Sequence, residues 1–147
     1  MKEGWMLRRG KYLCMAAVIA VLFLFALGSG SVPGDFYYKN REELDAAAKQ
    51  IAESKDVSGI EIKGVYNISY RDGENPIIEF TTSSSGLVPS STYRGIYYSV
   101  SGEPAAFQNA DIPLVETEKG WAWTGDGNKG GTTERIEGNW FVFDAHL

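Results

Sequence analysis

Cysteine and histidine are almost missing from this sequence, which has one of each. The single Cys14 cannot form a disulfide within the chain, so the fold must be stable without covalent cross-links. The single His146 lies next to the C-terminal residue, where chain ends tend to fray. A catalytic triad or a histidine metal centre would depend on that position. The sequence therefore predicts no catalytic residue and no cofactor.

Positive charge is scarce beyond the N-terminal segment. Of the 14 Lys and Arg residues, four fall within residues 1–34, whereas only one of the 19 Asp and Glu residues does. The rest of the chain therefore carries ten bases against eighteen acids, a net charge of −8. Nucleic-acid binding requires clustered Lys and Arg that face phosphates. We therefore expect no nucleic-acid partner.

What the sequence does have is one long apolar run, at residues 13–27. Arg8, Arg9 and Lys11 precede this run, and Asp35 is the first charged residue after it. Because cytoplasmic flanks of membrane segments carry an excess of Lys and Arg, the pattern predicts that the chain after the run lies outside the membrane.

The segment containing this run fits two alternatives, a retained anchor or a cleaved signal peptide. Fifteen apolar residues are at the upper end of a signal-peptide core and fall short of the roughly 20 needed to span a bilayer. We predict a basic cytoplasmic flank at 1–11, a transmembrane anchor or signal peptide at 12–31, a linker at 32–39 and an extracytoplasmic domain at 40–147. The protein would then be a single-pass cell-membrane protein that contacts the lipid bilayer, or a secreted protein.

The domain is expected to begin with a helix over residues 40–54. Asn40 followed by Glu43 fits the spacing of a capping box. Apolar residues then recur at the spacing of one helix face, at Leu44, Ala47, Ala48 and Ile51.

Beyond the helix the apolar period changes from 3.6 to 2, which indicates strands. The alternation over 60–70 predicts a long strand, and the Asp-Gly pair within 71–75 predicts a hairpin. Residues 83–91 are expected to form a loop. Further strands are expected at 77–82, 93–100, 112–117, 120–124 and 133–144. This order indicates an α+β fold, in which one amphipathic helix packs on a mostly antiparallel sheet of about six strands. The predicted shared core is Leu44, Ile51, Ile60, Ile62, Ile68, Phe80, Ile96 and Val142.

Tryptophans concentrate near the C-terminus, at Trp121, Trp123 and Trp140. Trp121 and Trp123 lie two apart and would share one face of a strand. If that face is exposed, the rings could stack on sugars or contact a protein; otherwise they belong to the core. We take these three residues as the candidate binding residues.

The glycine-rich stretch 125–131 is either a hairpin turn or a calcium loop. Asp126, Asn128 and Glu137 fall at the first, third and twelfth positions of an EF-hand-like loop. The eighth position is Thr133 instead of an aliphatic residue, and the flanks have the period of strands instead of helices. These departures favour the hairpin and leave only a weak calcium candidate.

A third alternative is a glycosidase, which would need two facing carboxylates. Glu61, Glu79, Glu116 and Glu134 lie on predicted strands, but their spacing does not pair any two of them. Acidic residues on strands usually point to solvent.

Two segments, "IYYSVSGEPAAFQ" (96–108) and "GWAWTGDGNKGGTTERIEGNWFVFDAHL" (120–147), carry a resemblance. The chain resembles a group of small uncharacterised exported or membrane-anchored proteins of Gram-positive bacteria. The resemblance implies a cell-envelope protein and implies no activity, cofactor or catalytic residue. The expectation is a non-enzymatic interaction domain with a protein or cell-wall glycan partner; the alternatives are a carbohydrate-binding module or a two-carboxylate glycosidase.

Overall fold

The computed structural model describes residues 33–87 and 90–147, which form an α+β unit of one long helix and a seven-stranded sheet. Within that described part, no helix has the length and apolar character needed to cross a bilayer. The predicted membrane segment at 12–31 lies outside the described residues.

The elements follow one another in a simple order. Helix α1 comprises Pro33–Ser54, and a short 3-10 helix comprises Phe107–Asn109. The strands are β1 (Asn67–Arg71), β2 (Ile77–Leu87), β3 (Ser90–Ser99), β4 (Val115–Glu116), β5 (Trp121–Thr124), β6 (Gly130–Glu137) and β7 (Trp140–His146).

The sheet order is β1-β2-β3-β7-β6-β5-β4, and all neighbours are antiparallel. Hairpins join β1 to β2, β2 to β3, β4 to β5, β5 to β6 and β6 to β7. Only the central pair, β3 with β7, connects strands that are distant in the chain. The predicted α+β class and antiparallel sheet are confirmed, with seven strands instead of about six.

Helix α1 begins earlier than predicted. Residues 33–39, predicted as a linker, are helical, with a proline at the first position and Asp35 in the first turn, both favourable at a helix start. Asn40 is not an N-cap, because it lies inside the helix at a kink, with φ −117° and ψ 18°. Its side-chain amide donates a hydrogen bond to the Phe36 carbonyl at 2.8 Å.

The face of the sheet under α1 holds the predicted core. Leu44, Ala47, Ala48 and Ile51 are buried, as the helical spacing predicted. They pack with buried sheet and loop residues, which are Ile62, Ile78, Phe80, Ile96 and Trp140. Ile60, Ile68 and Val142 join this cluster while partly exposed.

Several predicted segments have different bounds in the structure, including the strand predicted at 112–117, of which only Val115–Glu116 is a strand. The segment before β1 is not a strand, because the chain turns at Gly59 and Gly64, which have φ of +76° and +91°. The predicted loop at 83–91 is largely strand, because β2 continues to Leu87 and β3 starts at Ser90. The predicted strand at 133–144 is two strands, because the chain reverses at Gly138, which has φ of +54°.

The face of the sheet opposite α1 is also buried over part of its area. The connection of residues 100–114, here the covering loop, packs Ala105, Ala106 and Phe107 onto this face. Phe107 contacts Tyr93 and Phe143, with ring centroids 5.2 and 5.1 Å apart. The sheet is therefore the middle layer of a three-layer unit over this part of its surface.

Replacing Trp140 with alanine tests the helix-side core. Trp140 is 3% exposed, and its ring lies 5.3 Å from Tyr37 and 5.6 Å from Phe80 between centroids. Its Nε1 also donates to Asp45 Oδ1 at 2.8 Å, which ties α1 to β7. We expect W140A to lower the free energy of unfolding by about 3–5 kcal/mol, measured by urea denaturation followed by far-ultraviolet circular dichroism.

The matched control is Trp121→Ala, because Trp121 is only partly buried at the end of the other core. Its loss of stability should be clearly smaller than that of W140A. Equal losses in the two variants would contradict the assignment of Trp140 as the residue that fastens α1 to the sheet.

Candidate functional site

The three candidate tryptophans do not form a shared exposed platform. Trp123 is 5% exposed and Trp140 is 3% exposed. Trp140 lies under α1, whereas Trp121 and Trp123 lie on the opposite face with the covering loop. Trp121 and Trp123 do share one face, as their spacing predicted. The side-by-side, solvent-exposed rings that sugar stacking needs are not present in this arrangement.

The glycine-rich stretch forms the predicted hairpin between β5 and β6. The Gly125 amide donates to the Lys129 carbonyl at 3.0 Å, and Gly127 has φ of +69°. Gly130 and Gly131 belong to β6 and serve another purpose, close packing. A Cβ on Gly131 would lie 2.8 Å from the Trp123 ring, and one on Gly130 would lie 3.1 Å from His146 Nε2.

The structure does not bring together the residues of the weak calcium candidate. Asp126 and Asn128 lie in the β5–β6 turn, whereas Glu137 ends β6, roughly 24 Å away at 3.4 Å per residue. Glu137 Oε1 instead accepts a hydrogen bond from Arg41 Nη2 of α1 at 2.7 Å. Residues 33–87 and 90–147 contain no group of three or more His, Cys, Asp or Glu positioned for a metal ion.

Among the four glutamates considered for glycoside hydrolysis, the structure distinguishes Glu79. Glu61, Glu116 and Glu134 are exposed, as expected for acids on strands, whereas Glu79 is 2% exposed. It lies in β2 on the face that the covering loop occupies, directly opposite Tyr97 of β3.

Both carboxylate oxygens of Glu79 accept hydrogen bonds. Oε1 accepts from the backbone amide of Gln108 in the covering loop at 2.6 Å. Oε2 accepts from the Ser69 hydroxyl at 3.0 Å, and Arg71 Nε lies 3.5 Å away. Burial raises the pKa of this carboxyl, and the three donors oppose that rise. Glu79 therefore anchors the covering loop to the sheet.

The covering loop has further anchors on either side of Glu79. The Tyr97 hydroxyl accepts from the Ala105 amide at 3.0 Å and lies 2.8 Å from Thr133 Oγ1, and burial raises the pKa of Tyr97 to about 12. Gln108 and Asn109 have positive φ of 60° and 53°, an uncommon conformation outside glycine. The Asn109 side chain donates a hydrogen bond to the Asn75 carbonyl at 3.0 Å, which helps to hold this uncommon backbone conformation.

Within the described residues 33–87 and 90–147, the helix-side face of the sheet is covered along only part of the strands. In β7, Trp140 and Val142 pack with the α1 core, whereas Asp144 and His146 point the same way farther along the strand. Residues of the neighbouring strands that lie in register with Asp144 and His146 point in the same direction. We call this half the open face: Ser83, Ser85, Thr92, Arg94, Ala122, Thr124, Gly130, Thr132, Glu134, Asp144 and His146. Two exposed apolar residues, Leu87 of β2 and Val115 of β4, lie at its edges.

The open face is polar and has one ion pair at its centre. Arg94 Nε of β3 donates to Asp144 Oδ2 of β7 at 2.6 Å. His146 lies beside Thr92 in register, and hydroxyl residues occupy most other positions. An open groove of about 650 Å³ borders this face, and its lining includes Trp123, Asn128 and His146. The arrangement can offer several hydrogen-bond donors and acceptors to a ligand lying flat on the sheet.

No family model, curated protein or solved structure matches this chain.

The burial of Glu79 and the open face were not predicted from the sequence. One signal for Glu79 was available, because Ile77 shares its face of the strand and Ile78 and Phe80 make the other face apolar as well. The open face had a signal as well, since β7 changes from Trp140 and Val142 to Asp144 and His146 at constant period. That change marks the place along β7 where the cover by α1 stops. The change can be interpreted in this way only once the position of α1 on the sheet is known.

The pH dependence of stability tests the role of Glu79. A carboxyl with a raised pKa in the folded state stabilises the fold most below its unfolded pKa, near 4.5, and loses that contribution as pH rises through the folded pKa. We therefore expect the free energy of unfolding of the wild type, minus that of Glu79→Gln, to fall as pH rises above 4.5. The slope cannot exceed about 1.4 kcal/mol per pH unit for one proton.

Glu134→Gln is the control, because Glu134 is exposed on β6. The corresponding difference for this variant should be nearly flat over the same pH range in urea titrations. A flat difference for Glu79→Gln would show that Glu79 has the same pKa in the folded and unfolded chain.

Proposed function

We propose that this chain is a bacterial envelope protein whose folded unit acts as a non-enzymatic interaction domain outside the membrane. Residues 12–31 would hold it to the lipid bilayer, or would direct its secretion if they are cleaved. One observation carries the proposal. A basic flank and an uncharged apolar run lead into an acidic α+β unit that has its own core.

The roles of the titratable residues support binding over catalysis. Glu79, the most buried carboxylate among the candidate glutamates, is engaged in fastening the covering loop. Asp144 is engaged with Arg94, and Glu137 with Arg41. Groups occupied in this way hold the fold in place, while the exposed hydroxyl groups of the open face remain available to a partner.

Protease accessibility in a Gram-positive host tests the topology. With an epitope tag after Leu147, we expect external protease to remove the tag from intact cells, because the basic flank stays in the cytoplasm. Mass spectrometry of the native N-terminus then separates the anchored from the secreted form, since cleavage would remove the apolar run.

The matched control is the triple variant R8E/R9E/K11E, which reverses the flanking charge and leaves the apolar run intact. The tag of this variant should be less accessible from outside. A wild-type tag that is protected in intact cells and digested only after lysis would contradict the proposed location.

A further inference from the structure

We infer that the open face is a binding surface for an uncharged, hydroxyl-rich glycan chain. The inference rests on the proposed function and names the ligand class for it. It replaces the tryptophan platform, because Trp123 and Trp140 are buried. The residues that carry it are Thr92, Arg94, Thr132 and Asp144, with serines of β2 beside them.

The shape of the face suits an extended ligand. It crosses five adjacent strands, β2, β3, β7, β6 and β5. At about 4.8 Å between neighbouring strands, its width is roughly 19 Å. A pleated sheet presents side chains in rows across the strands. A chain molecule lying along the row of Asp144 would meet one side chain from each strand, namely Ser83, Arg94, Asp144, Thr132 and Ala122.

The chemistry of the face matches that of sugar hydroxyls. Each serine or threonine hydroxyl can both donate and accept a hydrogen bond, as each sugar hydroxyl can. The Arg94 guanidinium has further N–H groups besides the one bound to Asp144, and they project in a fixed plane. The side chains of Arg94 and Asp144 are 57% and 45% exposed, so a ligand can reach both of them.

The charge of the molecule selects against acidic ligands. Arg94 is balanced by Asp144, and Glu134 adds one negative charge, so the face is close to neutral on a body of net charge −8. An acidic polymer would be repelled by that body, and a basic one would be attracted by the body as a whole and not by this face in particular.

The composition of the face also distinguishes a glycan from a protein partner. Centres of protein interfaces are enriched in aromatic residues, methionine and arginine, and depleted in serine, aspartate and glutamate. The eleven residues of the open face include Arg94 but no methionine, tyrosine, phenylalanine or tryptophan, and residue types that interfaces disfavour, such as Ser83, Asp144 and Glu134, are present. A surface of hydroxyl groups around one ion pair therefore fits a polyhydroxylated chain better than it fits a protein interface.

Co-sedimentation with insoluble polysaccharides tests the inference. The full chain is kept in a polyoxyethylene detergent, which has no sugar headgroup to compete. The probes are chitin, cellulose, and Gram-positive cell wall before and after removal of its anionic polymers and protein. We expect the wild type to sediment with at least one of the uncharged probes, meaning chitin, cellulose or stripped wall.

The variant T92V/T132V removes two hydroxyls from the face while keeping β-branched side chains that suit strands. We expect it to bind about tenfold more weakly, as the loss of two hydrogen bonds predicts. Thr117→Val is the matched control, because Thr117 lies exposed in the β4–β5 turn, outside the open face. Its binding should equal that of the wild type, and circular dichroism should show all three proteins folded.

Three results would overturn the inference. They are no sedimentation with any uncharged probe, equal binding by T92V/T132V and T117V, and binding only to wall that retains its anionic polymers or protein. Each of them leaves the protease-accessibility result unchanged, so a wrong ligand class can be distinguished from a wrong location.

Discussion

The pairing of β3 with β7 is the constraint on which this fold depends. Every other neighbouring pair of strands is joined by a hairpin, whereas β3 and β7 come from distant parts of the chain and meet at the centre of the sheet. Their register places Ile96 opposite Val142 and Tyr97 opposite Phe141. A slip of one residue would move the aromatic rings of one core to the other face.

The two faces of this central pair depend on different kinds of cover. On one face α1 supplies an apolar stripe and is tied to β7 by the Trp140–Asp45 hydrogen bond. On the other face the covering loop has little secondary structure to satisfy its backbone, so side chains of the sheet do so, chiefly Glu79 and Tyr97. In a fold without an intrachain disulfide, these polar anchors fix an irregular segment that apolar contacts alone would leave free to shift.

The features that the sequence predicted correctly are the local ones, and those that it missed depend on residues far apart in the chain. Local patterns sufficed for the buried stripe of α1 and for the hairpin at 125–131, because period and turn residues act over a few positions. The helix start at Pro33 was missed because the Gly-rich approach resembled a linker. The apolar neighbours of Glu79 signalled its burial, but its partner could not be predicted, since Gln108 lies 29 positions away in a loop without a period.

The position of the open face could not be predicted for a related reason, because it depends on which part of the sheet α1 covers. Along β7 the helix-side residues are apolar at Trp140 and Val142 and polar at Asp144 and His146. The change from apolar to polar therefore falls where α1 no longer covers the strand. Polar strand residues that face solvent are common, but the open face lies at the centre of a seven-stranded sheet. There Arg94 of β3 donates a hydrogen bond to Asp144 of β7 at 2.6 Å. A ligand that binds here meets groups already in position, so the entropy that flexible loops lose on binding is largely avoided. That preorganisation is the physical reason to look for the partner on the open face instead of at the buried tryptophans.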